Sequence, residues 1–299
     1  MSYLFETFKG WKTYCEQNNS SLAESVVEYE TEQKGTTEKQ IYLGLEKAYL
    51  VMKDAIDAGF TQNMTSNSGM INNGAKKVYN YGKPVLSKEF QNLIARALSA
   101  KEVNSCMGRV VAAPTAGASG IIPGVLFTLQ ELHNLTDKQI YDGMLVAAGI
   151  ALIIEHSSSL AGAVGGCQAE TGSAAAMASG AIVYCLGGTI DQVFDAAGIT
   201  IQCMLGLVCD PVAGLVEIPC VVRNASAAAI ANSSAQIALA GLDAVIPADE
   251  CVQAMAEVAE SMESRYKETA LGGLAATKTG QEIAKRVLIQ DIEILPDED

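Results

Sequence analysis

Three cysteines stand where a helix cannot simply run through them, and together they could hold a metal centre. Cys167 lies in Gly165-Gly-Cys-Gln-Ala-Glu-Thr-Gly172, beside glycines and at the expected start of a helix. A thiol there has a lowered pKa and suits a nucleophile or a metal ligand; the other reading is a buried cysteine at a turn. Cys209 and Cys220 bracket Cys209-Asp-Pro-Val-Ala-Gly-Leu-Val-Glu-Ile-Pro-Cys220. Proline stops helices and restricts the residue before it, so both thiols are expected on non-helical backbone at element ends. Their spacing does not fit a zinc finger or ribbon, which use pairs two to four residues apart, nor the ferredoxin runs. An iron–sulfur cube held by three thiolates leaves one iron open as a Lewis acid. Such a cube is net negative. Arg223 is the only Lys or Arg between residues 139 and 242 and could offset it; otherwise it forms a helix-start ion pair. A zinc site from Cys167, Cys209, Cys220 and His156 is the simpler metal alternative.

A second candidate is the run Pro114-Thr-Ala-Gly-Ala-Ser-Gly-Ile-Ile-Pro-Gly124, just before a helix. Backbone N–H groups at such a start can hold a carboxylate. No Gly-Lys-Ser/Thr follows, so it is not a P-loop. Ser119 has Ile121, not glycine, two residues later, so it is not a nucleophile elbow. The other reading is a turn that permits close packing. His156, Lys278, Glu170 and Lys76 are candidate acid–base groups, and His133 is expected on a surface loop. Asp210 and Glu217 are expected to hold loop backbone rather than react. Cys15, Cys106, Cys185, Cys203 and Cys251 fall in helical patterns and read as core.

These residues need a scaffold, and composition limits its kind. The chain has 299 residues, 49% hydrophobic and 18% charged, which excludes a disordered or collagen-like chain. Its net charge of −14 argues against nucleic-acid binding. The N-terminus lacks a signal-peptide pattern. The longest uncharged apolar run, residues 143–154, is 12 residues against the ~20 of a membrane span. A cytoplasmic protein with reduced thiols, away from membranes, is expected.

Alanine dominates with 43 residues, 34 of them between 111 and 280. Helices are expected over 2–17, 37–58, 87–107, 120–132, 137–156, 172–186, 190–206, 223–240 and 249–266. A long polar loop is expected over 59–84. No alternating β pattern of useful length occurs. The expected fold is all-α: one catalytic domain over 1–299, with a helical extension at 1–35, the main body at 36–285 and an acidic tail at 286–299.

Met107-Gly-Arg-Val-Val-Ala-Ala-Pro-Thr-Ala-Gly-Ala-Ser-Gly120, Gly-Gly-Cys167-Gln-Ala-Glu and the dodecapeptide ending in Cys220 together resemble the iron–sulfur-dependent L-serine dehydratases. The chain is similar to their alpha subunit over roughly residues 40–285. The spacings of 42 and 11 residues between the thiols match the three-ligand pattern. The segment from Arg265 to Gly280 also fits. The resemblance implies a [4Fe–4S] cluster on Cys167, Cys209 and Cys220 with one open iron, and no pyridoxal cofactor. It implies deamination of L-serine to pyruvate and ammonia in a hetero-oligomer with a beta subunit, which could supply the base. It places substrate-binding groups at Ser66, Ser68, Asn72, Thr115, Gly117, Ser119, Ser159 and Gln168.

Three segments depart from the family. Its Thr-Gly-Gly-Asp becomes Ile71-Asn-Asn-Gly74, where asparagine can keep a left-handed turn. Its Asn-Ala-Ser-Ile-Ser becomes Ser157-Ser-Ser-Leu-Ala161, and its Thr-Pro-Thr-Gly becomes Thr277-Lys-Thr-Gly280. These changes leave the ligand set intact and open alternatives. One is a related lyase acting on threonine or cysteine, the latter a desulfidase. Another is a non-catalytic assembly subunit.

Overall fold

The computed structural model describes residues 5–294, with side chains as far as 287. Thirteen helices follow in order: α1 (Phe8–Asn18), α2 (Leu22–Lys34), α3 (Glu38–Thr61), α4 (Gly74–Tyr79), α5 (Lys88–Ser105), α6 (Ile121–His133), α7 (Asp137–Ser157), α8 (Gly162–Cys167), α9 (Ser173–Cys185), α10 (Ile190–Met204), α11 (Cys220–Leu239), α12 (Ala248–Ser261) and α13 (Lys278–Ile294). Among the described residues there is no strand, only isolated bridges of Thr65 with Asn72 and Cys209 with Lys267. The expected all-α fold is the one found.

Local chemistry fixes many helix starts. Ser21 with Glu24, Thr37 with Gln40, Thr136 with Gln139 and Thr189 with Gln192 form reciprocal capping boxes on α2, α3, α7 and α10. Each box satisfies backbone donors that the helix itself cannot.

Helix α9 is the centre. Every residue from Ser173 to Val183 is buried, and α6, α7, α10 and α11 pack around it. Its small side chains let neighbouring backbones approach. A Cβ on Gly180 would collide with Ile150. The N-terminal helices belong to the same core. Trp11 is fully buried against Gly149, and its Nε1 donates to Ser25 Oγ at 2.7 Å. Truncating such a tryptophan to alanine costs about 3–5 kcal/mol. Helix α7 is long and apolar enough to cross a membrane, but 56% of its apolar window is buried inside the protein.

Several boundaries differ from expectation. Helix α1 starts at Phe8, where Thr7 caps it. The polar stretch 22–34 forms α2, and α4 interrupts the expected loop at 59–84. Helix α12 stops at Ser261, short of the expected 266. The expected acidic tail is helical to Ile294; residues 295–299 lie outside the described residues. His133 is exposed in the last turn of α6 rather than on a loop. Cys15, Cys185 and Cys251 are buried, but Cys203 is exposed and Cys106 half-buried. Helical pattern alone does not say which face of α10 meets the core.

Candidate functional site

The chain turns sharply to present Cys167. Gly166 interrupts α8 one residue before its end, at a positive φ of 73° with extended ψ that glycine tolerates, and a π-turn over Gln168–Gly172 follows. The break at Gly166 makes Cys167 the first residue of helical backbone that runs on through the π-turn into α9, as its expected place at a helix start requires. The turn puts Glu170 on the same side. The Sγ atoms of Cys167 and Cys209 and a carboxylate oxygen of Glu170 lie within 4.8 Å of one another, all buried.

Cys209 sits on extended backbone, as expected. Its N–H donates to Tyr266 O at 2.8 Å, and its carbonyl accepts from Glu268 N at 2.9 Å. Cys220 is instead the first residue of α11, in helical conformation after Pro219. Proline before a helix is compatible with its start, so the flanking proline marks the boundary without excluding the helix. Asn224, fully buried, ties this start to the glycine-rich loop. Its amide donates to Gly117 O at 2.8 Å and Cys220 O at 2.9 Å, and its Oδ1 accepts from Gly120 N at 2.9 Å.

Electrostatics favour an anion at Cys167. The Cys209 thiol hydrogen-bonds to it and, against the burial penalty, brings its pKa down to about 7, with Thr171 and Arg223 contributing. Cys209 is driven upward as the proton donor of that pair. Burial, reinforced by the charge of Cys167, pushes Cys220 up to about 12. The Arg223 guanidinium pairs with Asp210 Oδ1 at 2.8 Å and donates to Val208 O at 2.9 Å. Desolvation opposes its charge, but Cys167 and Asp210 outweigh this and raise its pKa. Arg223 thus answers both readings, since it faces the thiols and makes a structural ion pair. Asp210 Oδ2 accepts from Leu274 N at 2.7 Å and does hold backbone.

A cleft of about 900 Å³ opens beside this group, bounded by Ser68, Ser105, Met107, Gly117, Val216 and Glu217. Glu217 holds no backbone. Its Oε2 accepts from both Ser66 Oγ and Ser68 Oγ at 2.6 Å, pinning the 66–71 loop to the 209–220 segment. Asn73, at φ 53°, keeps the left-handed turn. Thr115 donates to Glu170 Oε1, and a Cβ on Gly117 would collide with that carboxylate. Glu170 therefore stands between the cleft wall and the thiols, and burial raises its pKa.

Other expected site residues lie elsewhere. Gln168 is fully buried and makes packing bonds, from Nε2 to Met255 O and from Gly206 N to Oε1. Ser119 is buried, with its hydroxyl unpaired. Ser159 caps the backbone of Ala161, and Asn72 is exposed. His156 is exposed and lines a small cleft with Phe5, Glu6 and Tyr29, outside the thiol group. Lys278 and Lys76 are exposed as well, Lys76 in a separate surface hollow.

Lys101 and Arg286 were not anticipated. Lys101 is fully buried in α5, and Arg286 donates to Ser68 O at the cleft rim. The lysine sits at an ordinary helical position, so only its burial marks it.

Residues 17–275 match the family described as serine dehydratase alpha chain. The chain belongs to that family. It is 44% identical over 277 residues to the L-serine dehydratase alpha chain of Peptoniphilus asaccharolyticus, covering 92% of this chain and 95% of that one. It is 38% identical over 287 residues to the probable L-serine dehydratase alpha chain of Bacillus subtilis, covering 95% of each. The L-serine dehydratase of Streptomyces coelicolor is 39% identical over 264 residues, 86% of this chain but 58% of that longer protein.

Proposed function

We propose that the chain is the metal-bearing subunit of an L-serine ammonia-lyase that forms pyruvate and ammonia. The carrying observation is the buried convergence of Cys167, Cys209 and Glu170 beside Cys220 and Arg223, in a chain of this family.

The donor set fits a [4Fe–4S] cluster. Two thiols bracket the 209–220 segment and the third comes from the turn before α9, with a half-buried guanidinium at hand to balance their charge. Cys167, Cys209 and Cys220 would hold it. When bound, the cluster would supply Lewis acidity toward a substrate hydroxyl.

The chain's own residues bind and orient. The Thr115–Ser119 loop and Ser68 face the cleft side of Glu170, with Ser66 beneath them through Glu217. Arg286 at the rim would pair with the substrate carboxylate. Lys278 and His156 lie outside the cleft, and the beta chain that the resemblance implies would supply the group that takes the Cα proton. The Streptomyces relative, which extends well beyond the matched region, supports a second part to the enzyme. The working unit would be a cytoplasmic hetero-oligomer built on a single domain over 1–299.

Iron and acid-labile sulfide per chain after anaerobic purification test the centre, with about four of each expected. Pyruvate release from serine, threonine and cysteine, with the beta chain present, tests the substrate. Absence of iron after reconstitution, or activity surviving Cys167→Ala, Cys209→Ala and Cys220→Ala together, overturns the reading.

A further inference from the structure

Glu170 is 9% exposed, and among the described residues it makes no ion pair. A buried carboxylate without a cation is costly. Thr115 satisfies Oε1 only; no described residue donates to Oε2. A Cβ placed on Gly162 would be 3.3 Å from Cys209 Sγ, 3.5 Å from Glu170 Oε2 and 3.6 Å from Glu268 Oε2, so that sulfur and the two carboxylates border one space, which concentrates acceptor atoms there. The nearby cations are already committed. Arg223 holds Asp210 and the Val208 carbonyl, and Lys101 holds Asn104, Ser105 and the Val216 carbonyl. A cation between Oε2 and the two thiols, whose donor atoms lie within 4.8 Å of one another, would supply the partner that the described residues do not.

We infer that Glu170 is a further ligand of the metal centre, its Oε2 closing the coordination position that the three thiolates leave open while substrate is absent. The inference rests on the centre proposed above. The Cys-x-x-Glu spacing places both ligands on one face of a single turn. Thr115 fixes the other oxygen and with it the direction of Oε2, as outer partners do for ligating carboxylates. A carboxylate is a harder, more readily exchanged donor than thiolate, which suits a position that substrate must enter.

The test uses the full chain with its beta chain, enriched in ⁵⁷Fe and purified anaerobically, as wild type, Glu170→Gln and Glu170→Cys. Iron and sulfide are counted first. Mössbauer spectra are then recorded without substrate. The inference expects one iron subsite of the wild type to differ from the rest, and that subsite alone to shift in Glu170→Gln. In Glu170→Cys it should come to resemble the thiolate-bound irons, and loss of iron in air should slow. Identical spectra in all three proteins at equal iron content overturn the ligand role while leaving the centre intact. Failure of a folded Glu170→Cys protein to load iron overturns it too, since thiolate is the better ligand. Wild type without iron overturns the centre and the inference together.

Discussion

Replacing Lys101 with methionine tests how the segment bearing Cys209 and Cys220 is held. The lysine side chain is fully buried, and its three N–H groups meet three acceptors: Asn104 Oδ1 at 2.6 Å, Val216 O at 2.8 Å and Ser105 Oγ at 3.3 Å. An ammonium has three donors, so the set is complete. Val216 lies between Cys209 and Cys220, so Lys101 fastens that segment to α5. Methionine keeps most of the stem and removes the charge and the donors. Hydrogen bonds to a charged group contribute about 1.5–3 kcal/mol each. The two short bonds together give about 4 kcal/mol. Burial lowers the lysine pKa, so its removal also relieves some desolvation cost and the loss falls below that sum. Val216 O retains Ser105 Oγ at 3.2 Å and is not orphaned. The net loss is about 3 kcal/mol. With unfolding entropy of about 2.1 cal/mol/K per residue, a 299-residue chain loses about 5 °C of Tm. Differential scanning calorimetry of the chain reads this directly. A Lys101→Met Tm within about 1 °C of wild type would refute the anchoring role.

Glu217→Ala removes both hydroxyl bonds to the 66–71 loop, and amide exchange there should rise roughly a hundredfold at about 1.5 kcal/mol per bond; unchanged exchange would count against the pin. Native-state alkylation followed by mass spectrometry should label Cys203 first and leave Cys185 unmodified, because Cys203 is exposed while burial pushes Cys185 up to about 12. Burial also raises the pKa of Glu102, whose carboxylate accepts from Gly74 N and Ala75 N, so the folded chain binds more protons than the unfolded one above the ordinary value of 4.5. Its contribution is complete below 4.5 and lost as pH rises through the folded value. Urea midpoints of wild type should therefore fall relative to Glu102→Gln across that window, and parallel profiles would contradict the assignment.

The helical scaffold was legible because alanine richness and apolar periodicity are local properties. Helix α2 was equally legible in principle, through the Ser21-x-x-Glu24 capping box, but its weakly amphipathic sequence gave no apolar stripe. The three thiols were legible from their flanking glycines and prolines. The Pro114–Gly124 loop was legible as a glycine-rich turn before a helix, whereas Ser66 and Ser68 came only from the family resemblance. Contacts between distant segments were not legible. No spacing rule brings Glu170 to Cys209, Arg223 to Asp210 across a turn, or Glu217 to Ser66, 151 residues away. Gln168, which the resemblance placed at the substrate site, is instead fully buried and bonded to Met255 O and Gly206 N.

The sequence by itself determined that this chain folds as packed helices and that Cys167, Cys209 and Cys220 stand apart from its other thiols, because propensity, capping and proline geometry act within a few residues. Tertiary structure alone decided which charges surround those thiols. Burial, which sets the cost of every unpaired charge, depends on what the rest of the chain packs against it, and that is how Lys101 and Glu170 came to matter.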